Sequence, residues 1–215
     1  IIAIGGLFGG SYALMSQTLP RYNINTTFLS VDELHLIEES ITSNTKVIFC
    51  ESVGNPNLRL PNLQKIGKLA TKYNIIFVVD NTITPIIVKP LEYGADIVVY
   101  STTKIISGNS SALGGMAVFK AVEENSKFYT SRYEFLKPFI NKLNKKALIG
   151  CCKKRMLRDF GMSANAHSSY QTLLGLETLE LRTQRINSSV ETIVKQLYKS
   201  GIKVNHPSLE KSIDN

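Results

Sequence analysis

The sequence predicts an α/β fold, a mostly parallel sheet flanked by helices, and three observations predict it. Short apolar runs alternate with longer stretches of helical periodicity, and such alternation gives a mostly parallel sheet with right-handed crossovers. The runs, such as Ile75-Ile-Phe-Val-Val and Ile97-Val-Val, are apolar at successive positions, as in strands buried on both faces. They also lead into glycine or polar residues, as in Asp80-Asn-Thr and Ser101-Thr-Thr-Lys. Those residues then sit at the carboxyl ends of the strands, where open α/β sheets bind ligands.

Taken in order, Ile1-Ile-Ala-Ile is the tail of a buried strand, and Gly5-Gly-Leu-Phe-Gly-Gly is a loop entering a helix near Ser11. Glycines there let the backbone approach a ligand closely. Residues 25–29 read as a strand, 32–41 as a helix capped by Ser30 or Asp32, and 45–51 as the next strand, which completes a βαβ unit. Pro61 starts a helix over residues 62–73 with Leu63, Ile66, Leu69 and Ala70 on one face, and the strand 75–79 comes next, ending at Asp80. A further strand, 97–100, is bounded by Gly94 and a hydroxyl cluster, and Gly114-Gly-Met-Ala-Val-Phe is a strand leaving the same end of the sheet. Residues 121–157 are helix-rich and basic, with 142–155 a solvated face. Beyond residues 162–165 come an amphipathic helix over roughly 170–184 and a second that ends at Gly201.

With 215 residues and 43% hydrophobic content, the chain can bury the core of one large or two small domains. The net charge of +8 is spread over scattered lysines, apart from Lys145-Lys146 and Lys153-Lys-Arg155. No recognition motif accompanies them, which argues against nucleic acid as a partner. No apolar run approaches the roughly 18 residues of a membrane span, so no membrane partner is expected. The first residue is Ile, with no charged region ahead of an apolar one, so the start reads as truncated rather than as a secretory leader. Cys50, Cys151 and Cys152 are an odd set without metal-ligand spacing, which fits a reducing cytoplasm rather than a disulfide framework. His35, His167 and His206 form no ligand cluster, so no metal is expected.

The chemistry gathers around Lys104, just past the end of the strand 97–100. Ser101 and Thr103 precede it and Gly108, Gly114 and Gly115 come after, and hydroxyls with free backbone amides beside a lysine suit a phosphate. Asp80 places a carboxylate at the end of the neighbouring strand. A carboxylate there can keep a pyridinium nitrogen protonated, while the lysine amine forms a Schiff base with an aldehyde. Together these are the parts of a pyridoxal phosphate site. Taken singly, the residues leave other readings open: Lys104 as a solvated charge, Asp80 capping a turn, Ser101 and Thr103 satisfying backbone amides.

Six motifs in order, Glu51-Ser-Val-Gly-Asn-Pro, Val79-Asp-Asn-Thr, Gly94-Ala-Asp-Ile-Val, Ser101-Thr-Thr-Lys, Gly114-Gly and Gly175-Leu-Glu-Thr-Leu, resemble the Cys/Met-metabolism (trans-sulfuration) family of pyridoxal phosphate enzymes. That family includes O-acetylhomoserine sulfhydrylase, cystathionine synthases and lyases, and methionine γ-lyase. The resemblance covers residues 1–209 and implies the large domain of a fold-type I transferase. It makes Lys104 the catalytic and cofactor-bearing lysine, Asp80 the partner of the ring nitrogen, and Ser101 and Thr103 phosphate ligands. Phe8 falls where most of the family stacks a tyrosine on the cofactor, so stacking is kept and a phenolic proton donor is lost. Asn55 falls against the phenolic oxygen of the cofactor, and Glu51 reads as a supporting carboxylate. The resemblance further implies a cofactor-binding domain over 1–160 and a helical linker with the start of a C-terminal domain over 161–215. A preceding segment and most of that C-terminal domain are missing by comparison, so the chain reads as a central fragment. The intact enzyme is expected to be a cytoplasmic homotetramer, a dimer of dimers, acting on a small amino acid in methionine and cysteine biosynthesis. Phe8, Gly10 and the wording of Ser101-Thr-Thr-Lys favour γ-replacement on an activated homoserine. A cystathionine or methionine lyase, or a non-catalytic fragment, is the alternative.

Overall fold

The computed structural model describes residues 1–120 and 133–209. Its sheet holds β1 (Ile2–Ile4), β2 (Thr27–Leu29), β3 (Val47–Glu51), β4 (Ile76–Asp80), β5 (Ile97–Ser101) and β6 (Gly115–Phe119) in the order β2-β1-β3-β4-β5-β6. The first five are parallel, and β6 turns back antiparallel to β5 with Gly115 opposite Ser101. The expected α/β class is therefore present, and every anticipated strand is found, though several are shorter at their amino ends.

The unbroken apolar runs have a direct cause in the packing. Ile2, Ile4, Ile48, Phe77, Val79 and Val98 point to one face, against Ile37, Leu63, Ile66 and Ala70. Ala3, Phe49, Val78 and Val99 point to the other, against Met15 and Leu19. Side chains alternate across a strand, so a sheet covered on both sides needs apolar residues at every position. Burying each of the larger ones contributes about 1.5–3 kcal/mol.

Among the described residues the α-helices are α1 (Gly9–Ala13), α2 (Ile37–Ser40), α3 (Leu63–Lys72), α4 (Lys137–Leu143), α5 (Ala147–Cys152), α6 (Ala166–Glu177) and α7 (Leu179–Lys199). Ser30 is the cap of the second expected helix: its hydroxyl accepts the Asp32 amide at 3.2 Å, and Glu33 accepts the Ser30 amide at 2.7 Å. A tight turn over Val31–Leu36, kinked at Glu33, then leads into α2. Asp32 is left free to pair with Arg59. At α3 the start is set by Asn62, which accepts the Lys65 amide at 2.9 Å, so Pro61 lies just outside the helix. Residues 121–132 of the expected helix-rich segment lie outside the described residues. From 133 on, α4 and α5 pack around Leu136 and Ala147, with the lysines and arginine of 142–155 exposed as expected.

The largest difference is near the end of the chain. The helix expected over 170–184 is two: α6 begins at Ala166, with Asn165 accepting the His167 and Ser168 amides at 2.9 and 3.2 Å, and the chain breaks at Thr178. Neither glycine nor proline marks that break, and the apolar periodicity runs through it. Among the described residues no helix is long and apolar enough to cross a membrane.

Candidate functional site

A cavity of about 340 Å³ opens at the carboxyl ends of β3, β4 and β5. Its wall brings together Phe8, Asn55, Asp80, Ser101 and Lys104, drawn from four separate strand ends and the loops that follow them. The volume lies in the range of small-molecule sites. Parallel strands in register explain the convergence: Glu51 lies opposite Asp80, and Asp80 opposite Val99, so the residues after each strand emerge at one edge.

Asp80 is held by the turn immediately after it. Its Oδ1 accepts the Thr82 amide at 2.9 Å and the Thr82 hydroxyl at 2.6 Å. Thr82 Oγ1 in turn accepts the Ser101 amide at 2.8 Å, which ties the end of β5 to the end of β4. Asp80 Oδ2 has no hydrogen bond among the described residues, so one oxygen caps the turn and the other is unengaged. Thr82 was not singled out from the sequence. Its signal was the Asp-Asn-Thr spacing, in which a carboxylate reaches the amide two residues on.

Lys104 sits in an irregular helical turn, Thr102–Ile106, and its own φ of −91° and ψ of −123° are non-helical. Among the described residues its amine makes no hydrogen bond or ion pair, and the Ser101 hydroxyl is likewise without a partner. Thr103 differs. Its hydroxyl accepts the Gly114 amide at 3.0 Å and lies 3.3 Å from the Gly114 carbonyl, so it secures the start of β6. It does not line the 340 Å³ cavity but an open groove on the other side of Lys104, beside Gly108 and Arg182.

Glu51 organises the opposite wall. Buried at the end of β3, it accepts the Phe8 amide at 2.6 Å on Oε1 and the Asn55 amide at 3.1 Å on Oε2. One carboxylate thus fixes the backbone of both loops that carry the aromatic ring and the side-chain amide. Burial pushes its carboxyl above the usual range, against the pull of the two amides, and the Asp80 charge adds to the rise. The preceding Cys50 is fully buried and burial drives its thiol far up, so it takes no part as a thiolate. Among the described residues no His, Cys, Asp or Glu cluster is arranged to hold a metal ion.

Over residues 1–214 the sequence matches the family described as Cys/Met metabolism PLP-dependent enzyme. The chain belongs to this family. It is 34% identical to the homocysteine synthase of Schizosaccharomyces pombe, over 99% of this chain and 52% of that protein. The O-acetylhomoserine sulfhydrylase of Wolinella succinogenes superposes with a TM-score of 0.74 at 31% identity, covering 84% of this chain and 50% of the other. A Campylobacter jejuni protein assigned as an O-acetylhomoserine (thiol)-lyase superposes with a TM-score of 0.73 at 30% identity, covering 84% and 47%, and carries a pyridoxyl-lysine monophosphate. The chain thus spans about half the length of the curated relatives it matches. Its fold is that of pyridoxal phosphate enzymes of fold-type I.

Proposed function

We propose that the complete protein carrying this chain is a pyridoxal phosphate-dependent transferase that replaces the γ-acyloxy group of O-acetylhomoserine with sulfide or a thiol. The observation that carries this reading is the meeting of the unpartnered Lys104 amine and the free Asp80 Oδ2 on one cavity. The donor set fits the cofactor: an amine for its aldehyde, a carboxylate oxygen for its ring nitrogen, an aromatic face and a free hydroxyl.

When bound, the cofactor supplies an electron sink for charge developed on the substrate α-carbon. Asp80 would hold the ring nitrogen protonated, while Thr82 keeps its Oδ1 engaged. Phe8 would offer its ring for stacking, Asn55 its side-chain amide to the phenolic oxygen, and Ser101 its hydroxyl to the phosphate. Thr103 belongs to the same phosphate assignment, although its hydroxyl engages Gly114 and faces the groove beyond Lys104. Lys104 would hold the cofactor's aldehyde through its amine, and the same amine would serve as the base that moves protons at the substrate Cα and then Cβ so that the γ-substituent can leave. Because Phe8 has no phenolic proton to give a departing thiolate, replacement of an acyloxy group suits this site better than elimination of a thiol. The homotetramer, the cytoplasmic setting and the division at residue 160 belong to the same proposal.

The test is to give the complete protein O-acetylhomoserine with and without sulfide and to measure both product classes. Homocysteine formed only with sulfide is expected. Equal formation of 2-oxobutyrate and ammonia without any thiol would place the protein among the lyases, and no product in either case would mark it as non-catalytic.

A further inference from the structure

We infer that Arg182 is a positioning residue that fixes the backbone of Lys104 from outside the site, an inference that rests on Lys104 being the cofactor-bearing lysine. Arg182 lies in α7, 77 residues from the segment it touches. Its Nη1 donates to the Ile105 carbonyl at 2.6 Å, and its Nη2 donates to the Ile106 carbonyl at 3.1 Å and to the Gly175 carbonyl at 2.7 Å. Its Nε donates to the Thr178 hydroxyl at 3.0 Å, at the break between α6 and α7. Four acceptors thus surround one planar fork, and two of them belong to the residues directly after Lys104.

Two glycines make room for this contact. A Cβ on Gly108, whose φ is +79°, would lie 2.6 Å from the guanidinium carbon, and a Cβ on Gly175 would lie 2.2 Å from the Ile106 carbonyl oxygen. On the other side of Lys104 the chain is already fixed, since the Thr102 amide donates to the Gly114 carbonyl at 3.0 Å and Ser101 pairs with Gly115. The lysine side chain is long and flexible, so the place from which it swings is set by its backbone. The sheet holds that backbone before Lys104, and Arg182 holds it after. The break at Thr178 has a matching role: it brings the Gly175 carbonyl and the Thr178 hydroxyl onto the same guanidinium. A lysine at 182 is a point charge without the fork and cannot span these acceptors.

The experiment compares Arg182→Met, Arg182→Lys and Thr178→Ala in the complete protein. Thr178→Ala removes only the partner that orients Nε, and it decides the matter if Arg182→Met does not fold. Three quantities are read: kcat against KM, the pH titration of the visible absorption of the lysine-bound cofactor, and the rate of cofactor loss on dilution. Arg182→Met is expected to lower kcat on the order of a hundredfold with little change in KM, the penalty of a reacting group misplaced by about 1 Å. Thr178→Ala is expected to lower it about tenfold, the loss of one hydrogen bond to a charged group. In both, the titration midpoint moves and cofactor leaves faster, and Arg182→Lys falls between Arg182→Met and wild type. Folded variants with wild-type kcat and an unmoved titration, whatever their melting temperatures, would overturn the inference while leaving Lys104 in its role. A wild-type protein that shows no lysine-bound cofactor would sink both.

Discussion

Replacing Gly175 by alanine perturbs the site without touching any group that meets the cofactor. The added Cβ would stand 2.2 Å from the Ile106 carbonyl oxygen and 2.6 Å from that of Ser107. Ordinary contact between heavy atoms lies near 3.5 Å, so α6 and the Lys104 segment must part by about 1 Å. Such overpacking costs about 1–3 kcal/mol, set against roughly 1 kcal/mol gained from alanine in a helix. Gly67 in α3 offers a matched control, because a Cβ there would stand 2.0 Å from the carbonyl oxygen of Tyr93, and neither residue lines the cavity or groove at Lys104. Both substitutions should therefore lower the urea midpoint by similar amounts. Only Gly175→Ala should also lower kcat per cofactor-loaded site, by about a hundredfold for a displacement of about 1 Å. Turnover is measured with O-acetylhomoserine and sulfide and normalised to lysine-bound cofactor by absorbance. Wild-type kcat in folded Gly175→Ala, or an equal loss of kcat in Gly67→Ala, would refute the reasoning.

The cavity walls carry two further expectations. Asp80→Ala removes the carboxylate assigned to the ring nitrogen, so kcat should fall about a hundredfold or more while the protein stays folded; near-full turnover would rule out the role. Glu51 has a folded-state carboxyl raised above its ordinary 4.5 by burial, so its favourable contribution is complete below that pH and is lost as pH rises through the raised value. Wild type should accordingly lose stability relative to Glu51→Gln as pH climbs from about 4 towards 7, and urea midpoints that run parallel over that range would contradict the assignment.

The sheet was legible because burial on both faces leaves a plain mark, the unbroken apolar runs ending at Glu51, Asp80 and Ser101. The site was legible for a related reason: in a parallel sheet the residues after each strand share one edge, so Asp80, Ser101 and Lys104 had to be neighbours. The features that stayed hidden depended on partners distant in the chain or on where a side chain turns. Thr103 lies next to Lys104 in sequence, yet its hydroxyl turns to Gly114 and the far groove. Glu51 reads from the sequence as a supporting carboxylate, but the loops it holds, at Phe8 and Asn55, come together only in the fold. Arg182, four residues past the break at Thr178, reaches carbonyls of a segment 77 residues earlier, a contact that no local periodicity records.

The central claim is that Lys104 carries the cofactor, and one measurement meets it directly. The complete protein is loaded with pyridoxal phosphate, reduced with borohydride to fix the cofactor to its lysine, digested, and mapped by mass spectrometry. A pyridoxyl label on Lys104 is the expected result; a label on any other lysine, or none, would contradict it.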